Sequence, residues 1–159
     1  MKKLLKGKKS RYMLLLLISI FLIWNIVWGI NYYSYYKYSD GYAKSPINYF
    51  KSEKDYTYTV DCPSYLRLTG NFAVTNNDDL SIIIWPSLFM RSAEYGISAE
   101  DRKKNVTYRF YVDEDLNYLR HEDLNYALPD EAHIKSLLKK SRTELSEMQR
   151  LASKEWNQF

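Results

Sequence analysis

YTYTVDCPSYLRLTGNFAVTNNDDLSIIIW, residues 56–85, decides how the chain folds. Its periodicity is two. In YTYTVD (56–61), Tyr56, Tyr58 and Val60 share one face and Thr57, Thr59 and Asp61 the other, as in a strand with one buried face. YLRLT (65–69) and FAVT (72–75) read as two further strands, separated by Gly70-Asn71, a pair suited to a tight turn. Asn76-Asn77-Asp78-Asp79 marks another turn. LSIIIW (80–85) is the next strand, stopped by Pro86, which has no amide hydrogen for a ladder. Three consecutive Ile predict a strand buried on both faces or covered by a helix.

Toward the C-terminus, residues 87–105 read as loop, with a short helix near Ser98–Lys103. Asn105-Val106-Thr107 fits a glycosylation triplet, which matters only in a eukaryotic cell. VTYRFYV (106–112) is a fifth strand and NYLR (117–120) a weak sixth. After Pro129 the period becomes helical. Ile134, Leu138, Leu145, Met148, Ala152 and Trp156 recur at helical spacing, widened by Leu137 and Leu151. Asp130 and Glu131 suit the positive end of that helix. The stripe is expected to cover the sheet. Ser141 interrupts the narrower seam that a coiled coil would need. Strands followed by a helix give an α+β domain over 55–159: a small antiparallel sheet of about five strands packed by a long C-terminal helix.

Toward the N-terminus, residues 31–54 are rich in Tyr, Ser and Lys and read as an aromatic juxtamembrane stalk. Before them YMLLLLISIFLIWNIVWGI (12–30) carries no charge. As a helix it spans about 28 Å, against about 30 Å of bilayer hydrocarbon. Residues 1–11 hold six basic residues and no acid, leaving 17 of the 23 basic residues against all 19 acidic ones. The apparent net charge of +4 therefore belongs to the tail, which argues against a nucleic-acid-binding domain. Basic residues stay cytoplasmic, so 1–11 is expected inside the cell and the 55–159 domain outside. Trp24, Trp28, Tyr32, Tyr33, Tyr35 and Tyr36 are expected at the membrane interface, where rings with one polar edge are at home. Asn25, the one strongly polar side chain in the span, is a candidate for association with another membrane helix. A cleaved signal peptide is the rival reading. The apolar run is long for one, and its nearest small-x-small triplet, Gly41-Tyr42-Ala43, lies well beyond it.

Residues 114–133, EDLNYLRHEDLNYALPDEAH, invite chemical readings. The DEAH letters at 130–133 need an upstream phosphate loop, and the chain's five glycines form none. Asp113, Asp115 and Asn117 match the opening of a calcium loop, but Tyr118 and Leu124 stand where it needs Gly and Glu. His121 and His133 are twelve apart with a proline between, a spacing that prescribes no zinc geometry. Cys62 is the only cysteine, with no sequence cue tying it to a histidine. No catalytic set, metal site or cofactor is expected. EDLNY occurs twice, and the stretch reads as a solvated acidic connector, with Glu114, Asp115, Glu122 and Asp123 a candidate partner-binding patch.

The sequence thus points to a single-pass, membrane-anchored binding or accessory module of the cell envelope. Its expected partners are the bilayer and an envelope protein or cell-wall component. Lys, Asn, Ile and Tyr usage suggests a bacterium. A pilin-like structural subunit is one alternative, although a start after Gly7 would lack the early Glu of pilins. A hydrolase using the acids of 113–131 is the other.

Overall fold

The computed structural model describes residues 7–101, 106–121 and 131–157. The protein is α+β: a long apolar helix, an antiparallel sheet, and a second helix across one sheet face. Helix α1 runs Lys8–Tyr36 and ends in a short 3-10 turn, Lys37–Ser39. The strands are β1 (Ala43–Lys44), β2 (Tyr49–Glu53), β3 (Tyr56–Asp61), β4 (Asn71–Asn76), β5 (Leu80–Pro86), β6 (Ala93–Asp101), β7 (Val106–Val112) and β8 (Tyr118–His121). Helix α2 is Glu131–Trp156. Each strand pairs with the next in sequence, giving an eight-stranded meander.

The alternation in β3 sets the register of the centre. Tyr58 lies opposite Val74 and Val60 opposite Phe72. Phe72 faces Ile84, Val74 faces Ile82, and Ile82 faces Ile97, which faces Phe110. These residues form one buried layer beneath Ile134, Leu138, Leu145, Met148, Ala152 and Trp156 of α2. The expected helix stripe is therefore the one that is buried. The triple Ile resolves as anticipated: Ile82 and Ile84 face α2, and Ile83, on the opposite face, is also buried. The β4–β5 turn is closed by Asn76, whose Oδ1 accepts from the amides of Asp78 (3.0 Å) and Leu80 (2.8 Å).

The sheet has eight strands, not about five. Residues 31–54, expected as a stalk, continue α1 to Tyr36 and then supply β1 and β2. Residues 93–101, expected as loop entering a helix, form β6, whose Gly96 would pass for a breaker. A Cβ there would collide with the Trp85 ring, so glycine lets that ring cross the strand. Residues 65–69 are not a strand. They belong to the β3–β4 connection, which contains only an isolated Ser64–Arg67 bridge. Its far end is fixed by Gly70, where a Cβ would collide with the Asp61 carbonyl.

Candidate functional site

In a meander, alternate turns share one end of the sheet. The β2–β3 and β4–β5 turns, at one end, carry Lys54-Asp55 and Asn77-Asp78-Asp79. At the other end the β1–β2 turn carries Ile47, the β3–β4 connection Tyr65 and Leu66, and the β5–β6 turn Leu88 and Phe89. All five side chains are exposed. Helix α1 joins the domain at this apolar end.

The junction is closely fitted. Tyr35, expected at the membrane interface, is instead fully buried. Its ring stacks on Phe72 at 5.1 Å, and its Oη lies 3.4 Å from the carbonyls of Gly70 and Pro86. Burial holds its phenol above the usual tyrosine range. Asn31 is buried too: its Nδ2 donates to the Val27 carbonyl, and its Oδ1 accepts the Phe89 amide at 3.0 Å. Three of the other expected interface residues, Trp28, Tyr32 and Tyr36, form a ring ladder on the sheet side, while Tyr33 is exposed. Trp28 meets Tyr65 (5.6 Å) and Tyr32 (5.4 Å), and Tyr32 stacks on Tyr36 (6.0 Å). Tyr36 in turn meets Tyr49 at 5.8 Å. Tyr33 and Tyr36, with Lys37, Tyr42 and Tyr49, border an open cleft of about 430 Å³.

Farther down α1, Trp24 Nε1 donates to the Tyr65 carbonyl at 3.1 Å. Asn25 Nδ2 donates to the Phe21 carbonyl (2.7 Å) and the Tyr65 hydroxyl (3.1 Å). The Asn25 nitrogen, a candidate for association with another membrane helix, is engaged within the chain. Tyr65, Leu66, Leu88 and Phe89 escaped the sequence reading. The available signal was three successive apolar residues, Leu88-Phe89-Met90, in a segment otherwise read as loop.

The candidate acidic patch is placed only in part. Glu122 and Asp123 lie outside the described residues, as does the second EDLNY. The first copy forms the β7–β8 turn. Asp113 closes it, accepting from the Asn117 amide (2.7 Å) and side-chain nitrogen (2.9 Å), bonds that lower its pKa. The backbone carbonyls of Glu114 and Asp115 accept from Gln149 and Arg142 of α2, each at 2.9 Å. The carbonyls tie the turn to the helix, and both residues are exposed. His133 is exposed on the first turn of α2, 5.6 Å from the Tyr108 ring centre. It borders a cleft of about 710 Å³ with Asp78, Glu100, Lys140 and Glu144. Cys62 is half-buried, and burial with the nearby Asp61 pushes its thiol up to about 11, far from an activated nucleophile.

The sheet face opposite α2 carries a second ladder. Trp85 lies 5.1 Å from Tyr111, and the Arg120 guanidinium sits 4.2 Å above Tyr111. Among the described residues, no group of three His, Cys, Asp or Glu is arranged to hold a metal ion. No protein family model, curated protein or solved structure matches this chain.

Proposed function

We propose that the protein is a single-pass, membrane-anchored accessory module that displays its α+β domain outside the cell and works by binding. The observation that carries this reading is the double character of α1. Its most apolar 18-residue window has none of its residues buried, so that surface needs an apolar surrounding. Its polar side chains already return hydrogen bonds to the helix: Ser19 to Leu15 and Asn25 to Phe21. That arrangement suits a medium without water.

The C-terminal turns of the same helix belong to the domain core through Asn31 and Tyr35. This favours an anchor over a removable signal, because cleavage after Ala43 would empty the Tyr35 site against Phe72. The basic tail favours an inside N-terminus. A binding role rests on a domain with open clefts. The partner is sought at the envelope, through the 710 Å³ cleft or the Trp85–Tyr111 face.

The test combines topology with capture. In a Cys62→Ala background, Asp78→Cys is expected to react with a membrane-impermeant maleimide on intact cells. A photocrosslinking residue at Glu100 or Leu119 is expected to trap a discrete envelope component. Labelling only after lysis would refute the orientation. Failure of both crosslinking positions on living cells would refute the binding role for the surfaces they probe.

A further inference from the structure

We infer that the domain does not stand off the membrane. The tips of the β3–β4 connection and the β5–β6 turn enter the outer leaflet beside α1, with Leu66, Leu88 and Phe89 as the inserted side chains. The inference rests on the anchor reading and extends it from one helix to a second, independent lipid contact.

Depth along α1 carries the inference. Tyr65 is bonded to Trp24 and Asn25 and packed on Trp28. At 1.5 Å per residue those positions lie about 3–9 Å below Ile30, where the uncharged run ends. The connection bearing Leu66 therefore lies alongside apolar helix surface, not above it. Leu66 is 88% exposed, a poor disposition for leucine in water. Phe89 is tied at the level of Asn31, at the edge of the same run.

The β5–β6 tip is also costly to build. Phe89 (φ 62°) and Met90 (φ 54°) both adopt the left-handed conformation, which glycine or asparagine would occupy more cheaply. An apolar ring is held outward at some expense in backbone strain. Arg91, exposed, follows Phe89 closely in sequence, and Arg67, next to Leu66, is paired with Asp61 at 2.6 Å. An apolar tip followed by a cation suits the boundary between acyl chains and headgroup phosphates. The acidic β7–β8 turn emerges from the same end of the sheet but two strand positions farther on. Its carbonyls are held by Gln149 and Arg142 of α2, whereas the two apolar tips are tied to α1 through Trp24 and Asn31.

The test uses full-length protein in vesicles of phosphatidylcholine and phosphatidylglycerol. Single cysteines in a Cys62→Ala background, Leu22→Cys, Leu66→Cys, Phe89→Cys and Asp78→Cys, each carry an environment-sensitive dye. Lipids spin-labelled near the headgroup or near the chain end act as quenchers. The inference expects dye at 66 and 89 to be quenched most by the shallow label, dye at 22 by the deep label, and dye at 78 by neither. Quenching at 22 with water-like emission at 66 and 89 would overturn the inference and leave the anchor standing. Water-like emission at 22 would overturn both. Leu66 is almost fully exposed, so its replacement leaves the core intact. If Phe89→Cys disturbs its strained turn, Leu88→Cys reports on the same tip.

Discussion

The two helices are of similar length and meet opposite needs. Helix α1 is 29 residues, apolar around its whole circumference, with Leu16 60% exposed. Helix α2 is 26 residues with one apolar stripe, and Leu145 in that stripe is fully buried. Backbone hydrogen bonding is the same in both. What differs is the surrounding each surface fits: the lipid we propose around α1, and a sheet against α2. Only about the last three and a half turns of α1, from Trp24 onward, resemble α2 in packing against protein.

The sharpest way to break the comparison is to make one change in both helices. Leu145→Asp puts an unpaired charge under the sheet and should cost about 4–5 kcal/mol or more, enough to unfold a marginal domain. Leu16→Asp should leave the domain folded in detergent while making membrane insertion about 3 kcal/mol less favourable. Circular dichroism and the membrane-bound fraction separate the two outcomes. Loss of domain structure in Leu16→Asp would mean that α1 packs on protein where we place lipid.

Tyr35→Ala and Trp156→Ala come next. Both rings are buried against Phe72, one from each helix. Each truncation should cost about 3–5 kcal/mol in detergent-solubilised protein, read from chemical unfolding. A small effect for Tyr35 alone would detach α1 from the domain. Gly96→Ala, which forces Trp85 off its strand, should cost about 1–3 kcal/mol and alter the tryptophan near-ultraviolet signal.

The smallest expected effect is a local one at low pH. Asp113 has its pKa lowered by Asn117, so its hold on the β7–β8 turn is intact at neutral pH and above the ordinary carboxylate range. That hold is lost only as pH falls through the lowered value. Protection of the Asn117 amide against hydrogen exchange should fall in acid while the β4–β5 core stays protected.

What the sequence made legible follows the same division. The α2 stripe, β3, β5 and β7 were readable because periodicity reports burial directly. β2 was hidden because Tyr49, Lys51 and Ser52 pair with a neighbour without making an apolar face. β6 was hidden because Gly96 serves a tryptophan eleven residues away in sequence, a relation no local pattern records. Tyr65–Thr69 alternates well enough to resemble a strand, yet Leu66 points away from the core. The tyrosines of 32–36 were grouped by composition alone. Spacing alone could not reveal that Tyr35 turns inward while Tyr33 and Tyr36 stay exposed.

The central claim is that one helix serves both lipid and core, and it is tested most directly by intact mass on the membrane fraction after an alkaline carbonate wash. The account predicts protein retained in the washed membranes, with residues 8–36 still attached to the domain. A soluble, folded product that begins at or after Lys44 would contradict it, because the domain would then persist without Tyr35 and without an anchor.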